Sequence, residues 1–487
     1  MVNGSRRASP VNTFAVLASG VAAFALLQSL VIPVLTTVQH ELHTTQSAAT
    51  WVLTAYLLSA SIMTPILGRI GDMIGKKRVF VATLAALAVG SLLAALATSI
   101  GVLIVARVIQ GIAGGMVPVA FGIIRDEFPA EKVAGAVGAL AALTAVGAGL
   151  GIVLAGPIVA ALNYHWLFWL PLMLTIAAAV CALLFVPESP VRTAGRISWL
   201  PAVLLSGWLV ALLVALSEGP EWGWHSGRVI GLIAGALVLA AAWVAAELRA
   251  ATPVIDMKMM RQAAVWTNNL VALLIGLGMY ATFAFLPEFV QTPVASGYGF
   301  GASITRSGLM LLPSAITMFA VGVFAGRLAA RLGGKVLVIA GCLIGCGAMS
   351  ILAFAHHQEW EIYLSSAIMG IGFGLAFSAM SALIVAAVPA SQTGVASGMN
   401  ANIRTIGGSI GSAVMASIVT SRLAPSGLPL ESGYTTGFAV MAGGLLLAAA
   451  AGLLMPSLRQ PRRTADQSDH AEMAVIAGGT VVGDQAG

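Results

Sequence analysis

Fourteen long apolar stretches constrain this chain more than any other feature of its sequence. A helix that crosses a bilayer needs about 20 mostly apolar residues, and each stretch is about that long. They lie at roughly 12–35, 47–67, 79–99, 100–122, 133–160, 166–186, 198–217, 228–247, 264–289, 304–325, 336–354, 361–386, 394–419 and 434–456. Only 9% of the residues are charged, which excludes a soluble protein. We predict an all-α membrane protein with 14 transmembrane helices.

Lysine and arginine set the expected orientation, because cytoplasmic loops carry an excess of both. With a cytoplasmic N-terminus, 19 basic residues lie inside and 3 outside. The inside set is Arg6, Arg7, Arg69, Lys76, Lys77, Arg78, Arg125, Lys132, Arg192, Arg196, Arg249, Lys258, Arg261, Arg327, Arg331, Lys335, Arg459, Arg462 and Arg463, and the outside set is Arg228, Arg306 and Arg422. We therefore expect both termini in the cytoplasm, in a multi-pass protein of the plasma (inner) membrane.

An internal repeat divides the chain. GRIGDMIGKK (68–77) matches GRLAARLGGK (326–335) at an offset of 258, and FPAEKVAGAVG (128–138) matches VPASQTGVASG (388–398) at an offset of 260. Parallel halves are a transporter design with the substrate path between them. The repeat predicts six-helix halves at 1–197 and 251–456, two inserted helices at 198–250 and a disordered cytoplasmic tail at 457–487.

Four motifs carry a family resemblance. They are GRIGDMIGKKR (68–78), ARVIQGIAGG (106–115), GAGLGIVLAGP (147–157) and NANIRTIGGSIG (400–411). Together they resemble the major facilitator superfamily, most closely its 14-span drug:proton antiporters of the EmrB/QacA type. The resemblance implies a 6 + 2 + 6 major facilitator fold. It also implies alternating access and export of hydrophobic or cationic compounds in exchange for protons.

The 68–78 segment is the signature loop of that superfamily. Its residues are Gly68, Arg69, Asp72, Gly75, Lys76, Lys77 and Arg78. The glycines permit a sharp turn between two helices. The resemblance implies a charge latch around Asp72 that holds one transporter state. The alternative is a purely topological role, and the aligned residue of the second half is Ala330.

Two arginines fall inside predicted spans, where a charge is costly and should face a cavity or a partner. We expect Arg107, beside Gln110, to tune a proton site or contact substrate, or else to be a structural anchor. Arg404 shares a helix face with Asn400 and has the same two possible roles. In the third motif, Gly147, Gly151, Gly156 and Pro157 predict close helix packing and an antiporter-type bend.

Proton coupling is where the family pattern is broken. The 14-span family usually carries an aspartate on helix 1, where this chain has Gln28, which cannot titrate. Glu288 is the only acid that we place clearly within a span, and it is either a proton or cation site or an interfacial glutamate. We expect Asp126 to be a surface charge paired with Arg125 and Lys132.

Other functions receive less support from the sequence. The cluster of His356, His357, Glu359 and Glu361 predicts a solvated loop rather than a metal site. No nucleotide loop or catalytic set is recognisable, so we expect no cofactor, no metal, no nucleic acid and no enzyme activity. The expected partners are a small-molecule substrate, protons and membrane lipids, with the protein a monomer. A narrow-substrate exporter of an endogenous metabolite with weak or different ion coupling, and a non-transporting sensor or scaffold, are the alternatives.

Overall fold

The computed structural model describes residues 10–188, 198–250, 252–421, 424 and 428–456. In this part of the chain, 14 helices are long and apolar enough to cross a membrane, which confirms the predicted number. The first eight are α1 (Pro10–Leu30), α2 (Gln46–Ile74), α3 (Lys76–Ala95), α4 (Ile100–Glu127), α5 (Ala130–Ala161), α6 (Trp166–Phe185), α7 (Trp199–Trp222) and α8 (Gly227–Arg249). The last six are α9 (Ala263–Gln291), α10 (Ile304–Leu332), α11 (Gly334–Phe354), α12 (Glu359–Ala387), α13 (Thr393–Thr420) and α14 (Glu431–Gly452).

Shorter elements interrupt or join these helices. A 3-10 turn, Ile112–Gly115, lies in the middle of α4, and a second one, Ile32–Val34, follows α1. Leu35–Glu41 and Met257–Met260 are short helices outside the spans. The turn in α4 coincides with Gly114 and Gly115, where Cβ atoms would lie 2.8 Å from the Ala60 carbonyl and 2.5 Å from the Leu67 Cβ. The glycines therefore let α4 pack directly on α2.

The spans form two bundles with a helix pair beside them. In the first bundle (α1–α6), α1 packs on α5 and α6, and α4 packs on α2 and α3. In the second bundle (α9–α14), α9 packs on α13 and α14, and α12 packs on α10 and α11. The inserted helices α7 and α8 pack on each other, and α7 also contacts α2 and α13. The described helices thus follow the expected 6 + 2 + 6 order.

Residues 68–78 connect α2 to α3 at one end of the bundles, called here the 68–78 end. Because the helices alternate in direction, α1 begins and α14 finishes at this same end. Gly75 (φ +117°) forms the α2–α3 turn, and Gly333 (φ +89°) forms the α10–α11 turn 258 residues later. A side chain is strained at such φ values, so the repeat preserves the residue that both turns require.

Several sequence expectations fall outside the described residues. These are the basic residues Arg6, Arg7, Arg192, Arg196, Arg422, Arg459, Arg462 and Arg463, and the tail 457–487. The membrane-facing sides of the described helices carry exposed large apolar side chains such as Leu184, Leu237 and Leu447. Apolar side chains in these positions suit contact with lipid.

Candidate functional site

Arg107 lies at the centre of the first bundle with none of its surface exposed. Its guanidinium donates to the Val52 carbonyl (3.1 Å), to the Leu27 carbonyl (3.4 Å) and to Gln110 Oε1 (2.8 Å). It also lies 4.2 Å from the centre of the Tyr56 ring. Gly111 makes this possible, because a Cβ there would lie 2.5 Å from the Ser59 Cβ and separate α4 from α2. Among the residues that the structure describes, Arg107 Nη2 has no hydrogen-bond partner.

Arg404 occupies a comparable position in the second bundle. Its guanidinium lies 4.2 Å from the centre of the Phe377 ring and beside the Tyr280 hydroxyl. In the described part of the chain, its Nε has no hydrogen-bond partner. Asn400, one turn earlier, instead donates to Asn269 Oδ1 at 2.9 Å. The two residues that the sequence placed on one helix face therefore belong to different clusters.

Close packing of α9 on α13 holds Arg404 in place. The Tyr280 ring lies against Gly408, where a Cβ would be 2.6 Å from the ring carbon Cδ2. Tyr280 lies beside Arg404 in this position. Each bundle thus holds one interior arginine against an aromatic ring.

A cavity of about 290 Å³ opens between the two bundles, with Tyr280 in its wall. Helices α2, α7, α9 and α13 form this wall. Most lining side chains are apolar, among them Leu57, Leu213 and Phe285. Thr54 and Ser217, whose hydroxyls are 3.1 Å apart, add polar groups to the wall. The half-buried Gln28 does not line this cavity.

The bundles are in contact at the 68–78 end. A Cβ on Gly68 of α2 would lie 2.5 Å from the Gly394 carbonyl oxygen of α13. The repeat makes the same contact a second time, since a Cβ on Gly326 of α10 would lie 2.5 Å from the Gly135 Cα of α5. Arg125 adds hydrogen bonds to the Val385 carbonyl and, at 2.9 Å, to Thr393 Oγ1.

A buried charge cluster supports this contact from the first bundle. Lys76 lies 2.6 Å from Asp126 and 3.7 Å from Asp72, and all three side chains are 1% exposed. The expectation that Asp126 is a surface charge was therefore wrong, because Lys76 of the neighbouring helix covers it. Asp72 faces the first turn of α13, with Oδ2 3.1 Å from the position of a Cβ on Gly394.

The remaining basic residues of the signature loop have separate partners. Arg78 pairs with Glu188 at 3.5 Å, and Lys77 donates to the Leu183 carbonyl at 2.9 Å. Arg69 is 9% exposed. These contacts connect the loop to the end of α6.

The glycines of α5 lie at two helix contacts. A Cβ on Gly147 would lie 2.6 Å from the Ala25 Cβ of α1, and one on Gly151 would overlap Ser29 of the same helix. A Cβ on Gly156 would lie 2.7 Å from Thr305 Oγ1 of α10, in the other bundle. Pro157 is inside α5, which continues to Ala161. The glycines thus pack within the first bundle and across the interface.

Glu288 lies apart from both arginines, near the end of α9 that is remote from the 68–78 end. It accepts a hydrogen bond from Tyr434 at 3.0 Å. The expectation that Glu288 is the only acid clearly within a span was wrong. Glu218 of α7 and Glu247 of α8 are 4% and 3% exposed, and Glu247 accepts from Trp243 Nε1 and the backbone of Val254.

The histidine cluster differs from its prediction in composition. His356 and His357 lie close to Glu431, which is more than 70 residues later in the sequence and was not part of the predicted cluster. His356 Nε2 lies 2.8 Å from Glu431 Oε1. Glu359 pairs with Arg306, and Glu361 caps its own helix. These two histidines and Glu431 line a small pocket together with Tyr298. Tyr298 donates to the Pro429 carbonyl, and burial raises the pKa of its hydroxyl.

Two helical bundles related by an internal repeat, with a cavity and charged side chains at their interface, define the class of secondary membrane transporters. The profile described as "Major Facilitator Superfamily" matches residues 17–412 and 269–482, and the chain belongs to that superfamily. It is thus a multi-pass transporter of the inner membrane that acts on small molecules.

Several characterised and uncharacterised proteins are similar to this chain. The multidrug transporter protein MdtP of Bacillus subtilis is 28% identical over 74% of this chain and 67% of its own length. The tetracenomycin C resistance and export protein of Streptomyces glaucescens is 26% identical over 83% of this chain and 75% of its own length. An uncharacterized MFS-type transporter of Mycobacterium tuberculosis is 28% identical, and the chain spans only 57% of it.

A solved structure has the same fold. The human organic anion transporter MFSD10 superposes with a TM-score of 0.64 and covers 91% of this chain and 99% of its own. The two sequences are 16% identical, so the similarity concerns the fold alone.

Proposed function

We propose that this chain exports hydrophobic or amphipathic small molecules by alternating access, in exchange for protons. The observation that carries the proposal is the largely apolar cavity between two bundles that touch at the 68–78 end. Such a cavity binds apolar bodies through burial and orients them with a few polar groups. Relatives described as a multidrug transporter and as a resistance and export protein support the direction of transport.

We propose that residues 1–197 and 251–456 move as the two rocking units, with the helices of 198–250 beside them. The α2–α13 contact opens and closes in this scheme, and Asp72, Lys76 and Asp126 form its latch. Arg125 supports the latch because its hydrogen bonds end on Val385 and Thr393 of the other bundle. One chain contains both units, so a monomer embedded in lipid suffices.

For coupling, we propose that the proton binds away from helix 1. Gln28 cannot titrate, whereas Glu288 has a hydroxyl partner in Tyr434 and can exchange a proton without breaking an ion pair. Arg107 and Gln110 then contribute to substrate or conformational control. The half-buried, non-titrating Gln28 also favours the second candidate, a narrow-substrate exporter with different or weak ion coupling.

Dye efflux from pump-deficient cells tests the proposal. Cells expressing the full chain are loaded with a neutral, a cationic and an anionic dye (Nile red, ethidium and fluorescein), with and without an uncoupler. We expect energy-dependent efflux of at least one dye, lost with the uncoupler and with Arg107→Ala. Arg306→Ala, which removes an exposed arginine paired with Glu359, is the matched control. No efflux of any dye from cells with normal protein levels would refute a drug exporter and favour the narrow-substrate candidate.

A further inference from the structure

Two histidines and one glutamate lie together at the end of the second bundle that is remote from the 68–78 end. His356 and His357 are in the loop after α11, and Glu431 is the first residue of α14. Each residue offers one ligand atom, and these atoms lie within 4.8 Å of one another. The carboxylate is the shared neighbour, because Glu431 Oε1 is 2.8 Å from His356 Nε2 and 3.9 Å from His357 Nδ1. Two imidazoles and one carboxylate therefore meet at one point.

Aromatic packing holds the His356 ring in place. The side chain is 6% exposed, and the Phe289 ring of α9 meets it edge-on with 5.2 Å between the ring centres. Phe289 is stacked in turn on Tyr298. Gly297 and Gly299, with φ +84° and +74°, turn the loop after α9 back over the end of that helix. A ligand whose position is fixed in advance loses little conformational freedom when it binds an ion.

The polar groups of the cluster are incompletely paired by the protein. Among the described residues, His356 Nδ1 is buried and has no hydrogen-bond partner. The same ranges contain no lysine or arginine that pairs with Glu431. A buried histidine with a purely structural role usually has its polar atoms paired, so the arrangement is better explained by a ligand.

The cluster is open to an ion from solvent. The side chain of His357 is 73% exposed and that of Glu431 is 39% exposed. Both border a pocket of about 120 Å³ together with His356, and this volume admits an ion with the water that completes its coordination. The Tyr298 hydroxyl of the same pocket already donates to the Pro429 carbonyl, so the two imidazoles and the carboxylate are the available ligands.

The distances require only a small adjustment around an ion. Ligand atoms about 2.0 Å from a tetrahedral Zn²⁺ lie roughly 3.3 Å from one another. The pair formed by His356 and Glu431 must therefore open slightly from 2.8 Å, and the pair formed by His357 and Glu431 must close slightly from 3.9 Å. The exposed His357 side chain is free to make the second movement, and the ion replaces the hydrogen bond between His356 and Glu431.

We propose that His356, His357 and Glu431 bind a divalent transition-metal ion, with Zn²⁺ as the representative. Imidazole nitrogen suits zinc, copper and nickel, whereas Ca²⁺ and Mg²⁺ are bound by oxygen ligands. Three protein ligands leave one position of a tetrahedral ion to water. The site is separate from the cavity between the bundles and does not depend on the proposed function. The sequence predicted a solvated loop here because the third ligand comes from a helix that is distant along the chain.

Zinc binding to the purified full-length chain, without a histidine tag, tests the proposal by isothermal titration calorimetry. We expect one Zn²⁺ per chain and no heat from Ca²⁺ or Mg²⁺. Zn²⁺ should also raise the Tm, because an ion that binds only the folded chain stabilises it.

Variants assign the binding to the cluster. His357→Gln and Glu431→Gln should each weaken Zn²⁺ binding roughly tenfold or more, since even outer-shell partners of a metal are worth that much. Both side chains are partly exposed, so each variant should unfold at nearly the wild-type Tm when Zn²⁺ is left out. His225→Gln is the matched control, because His225 is an exposed histidine in the α7–α8 loop at the same end of the molecule, and it should change nothing.

Electron paramagnetic resonance of the Cu²⁺-loaded chain identifies the ligands. We expect coupling to the nitrogens of two imidazoles in the wild type and of one in His357→Gln. Absence of Zn²⁺ binding would overturn the proposal, as would equally tight binding of Ca²⁺. Zn²⁺ binding that persists unchanged in a double variant, His357→Gln with Glu431→Gln, would overturn it too.

Discussion

Gly68→Ala is the substitution whose effect the structure predicts most directly. The added Cβ would lie 2.5 Å from the Gly394 carbonyl oxygen and 2.7 Å from its carbonyl carbon. Both atoms belong to the backbone of α13, so no side chain can rotate away. Helices α2 and α13 must separate to accommodate the methyl group, and the clash exists only while the 68–78 end is closed.

The magnitude follows from the cost of overpacking. Adding a methyl group to a tight contact costs about 1–3 kcal/mol. Alanine is also a better helix former than glycine, so the helix itself is not weakened. If the cost applies to the closed conformation alone, its population relative to the open one falls roughly 5- to 150-fold.

Distances between spin labels at Lys132 and Arg331 measure this shift. Both side chains are exposed at the 68–78 end, one in each bundle, so the labels report on separation there. We expect a longer distance in Gly68→Ala and slower transport. Gly347→Ala is the matched control, because nothing lies within 4 Å of the added Cβ. An unchanged distance distribution with unchanged transport would refute closure through the Gly68–Gly394 contact.

Three further outcomes are expected. Asp126→Asn removes the carboxylate 2.6 Å from the buried Lys76 ammonium, so thermal unfolding should show a loss of about 3 kcal/mol, whereas an unchanged Tm would mean that the pair contributes no stability. Asp72→Asn should slow turnover more than it weakens substrate binding, and a change in affinity alone would contradict the latch. Glu288→Gln should uncouple export from the pH gradient, and a normal pH response would place the proton site elsewhere.

The sequence predicted the spans and their number because hydropathy depends on local composition. It also predicted that Arg107 is buried, since a charge within an apolar run has few alternatives. It could not predict the partners Tyr56 and Phe377, because tertiary packing brings them to the arginines from other helices. Asp126 was misassigned for the same reason: its position near a helix end suggests exposure, and only the packing of α3 on α4 buries it.

The repeat is symmetric in its close contacts and asymmetric in its charges, and this difference bears on which contact opens. Gly68 and Gly326 make equivalent contacts across the interface, at α2–α13 and α5–α10. The residues of the second half that align with Asp72, Arg125 and Asp126 are Ala330, Val385 and Ala386. Buried ion pairs depend on exact geometry and on the charges of their partners, whereas apolar contacts along two helices tolerate small rotations. We therefore expect α5–α10, which pack together from Gly135 to Gly156, to remain in contact as the hinge. The charged α2–α13 contact is then the one that opens and closes during transport.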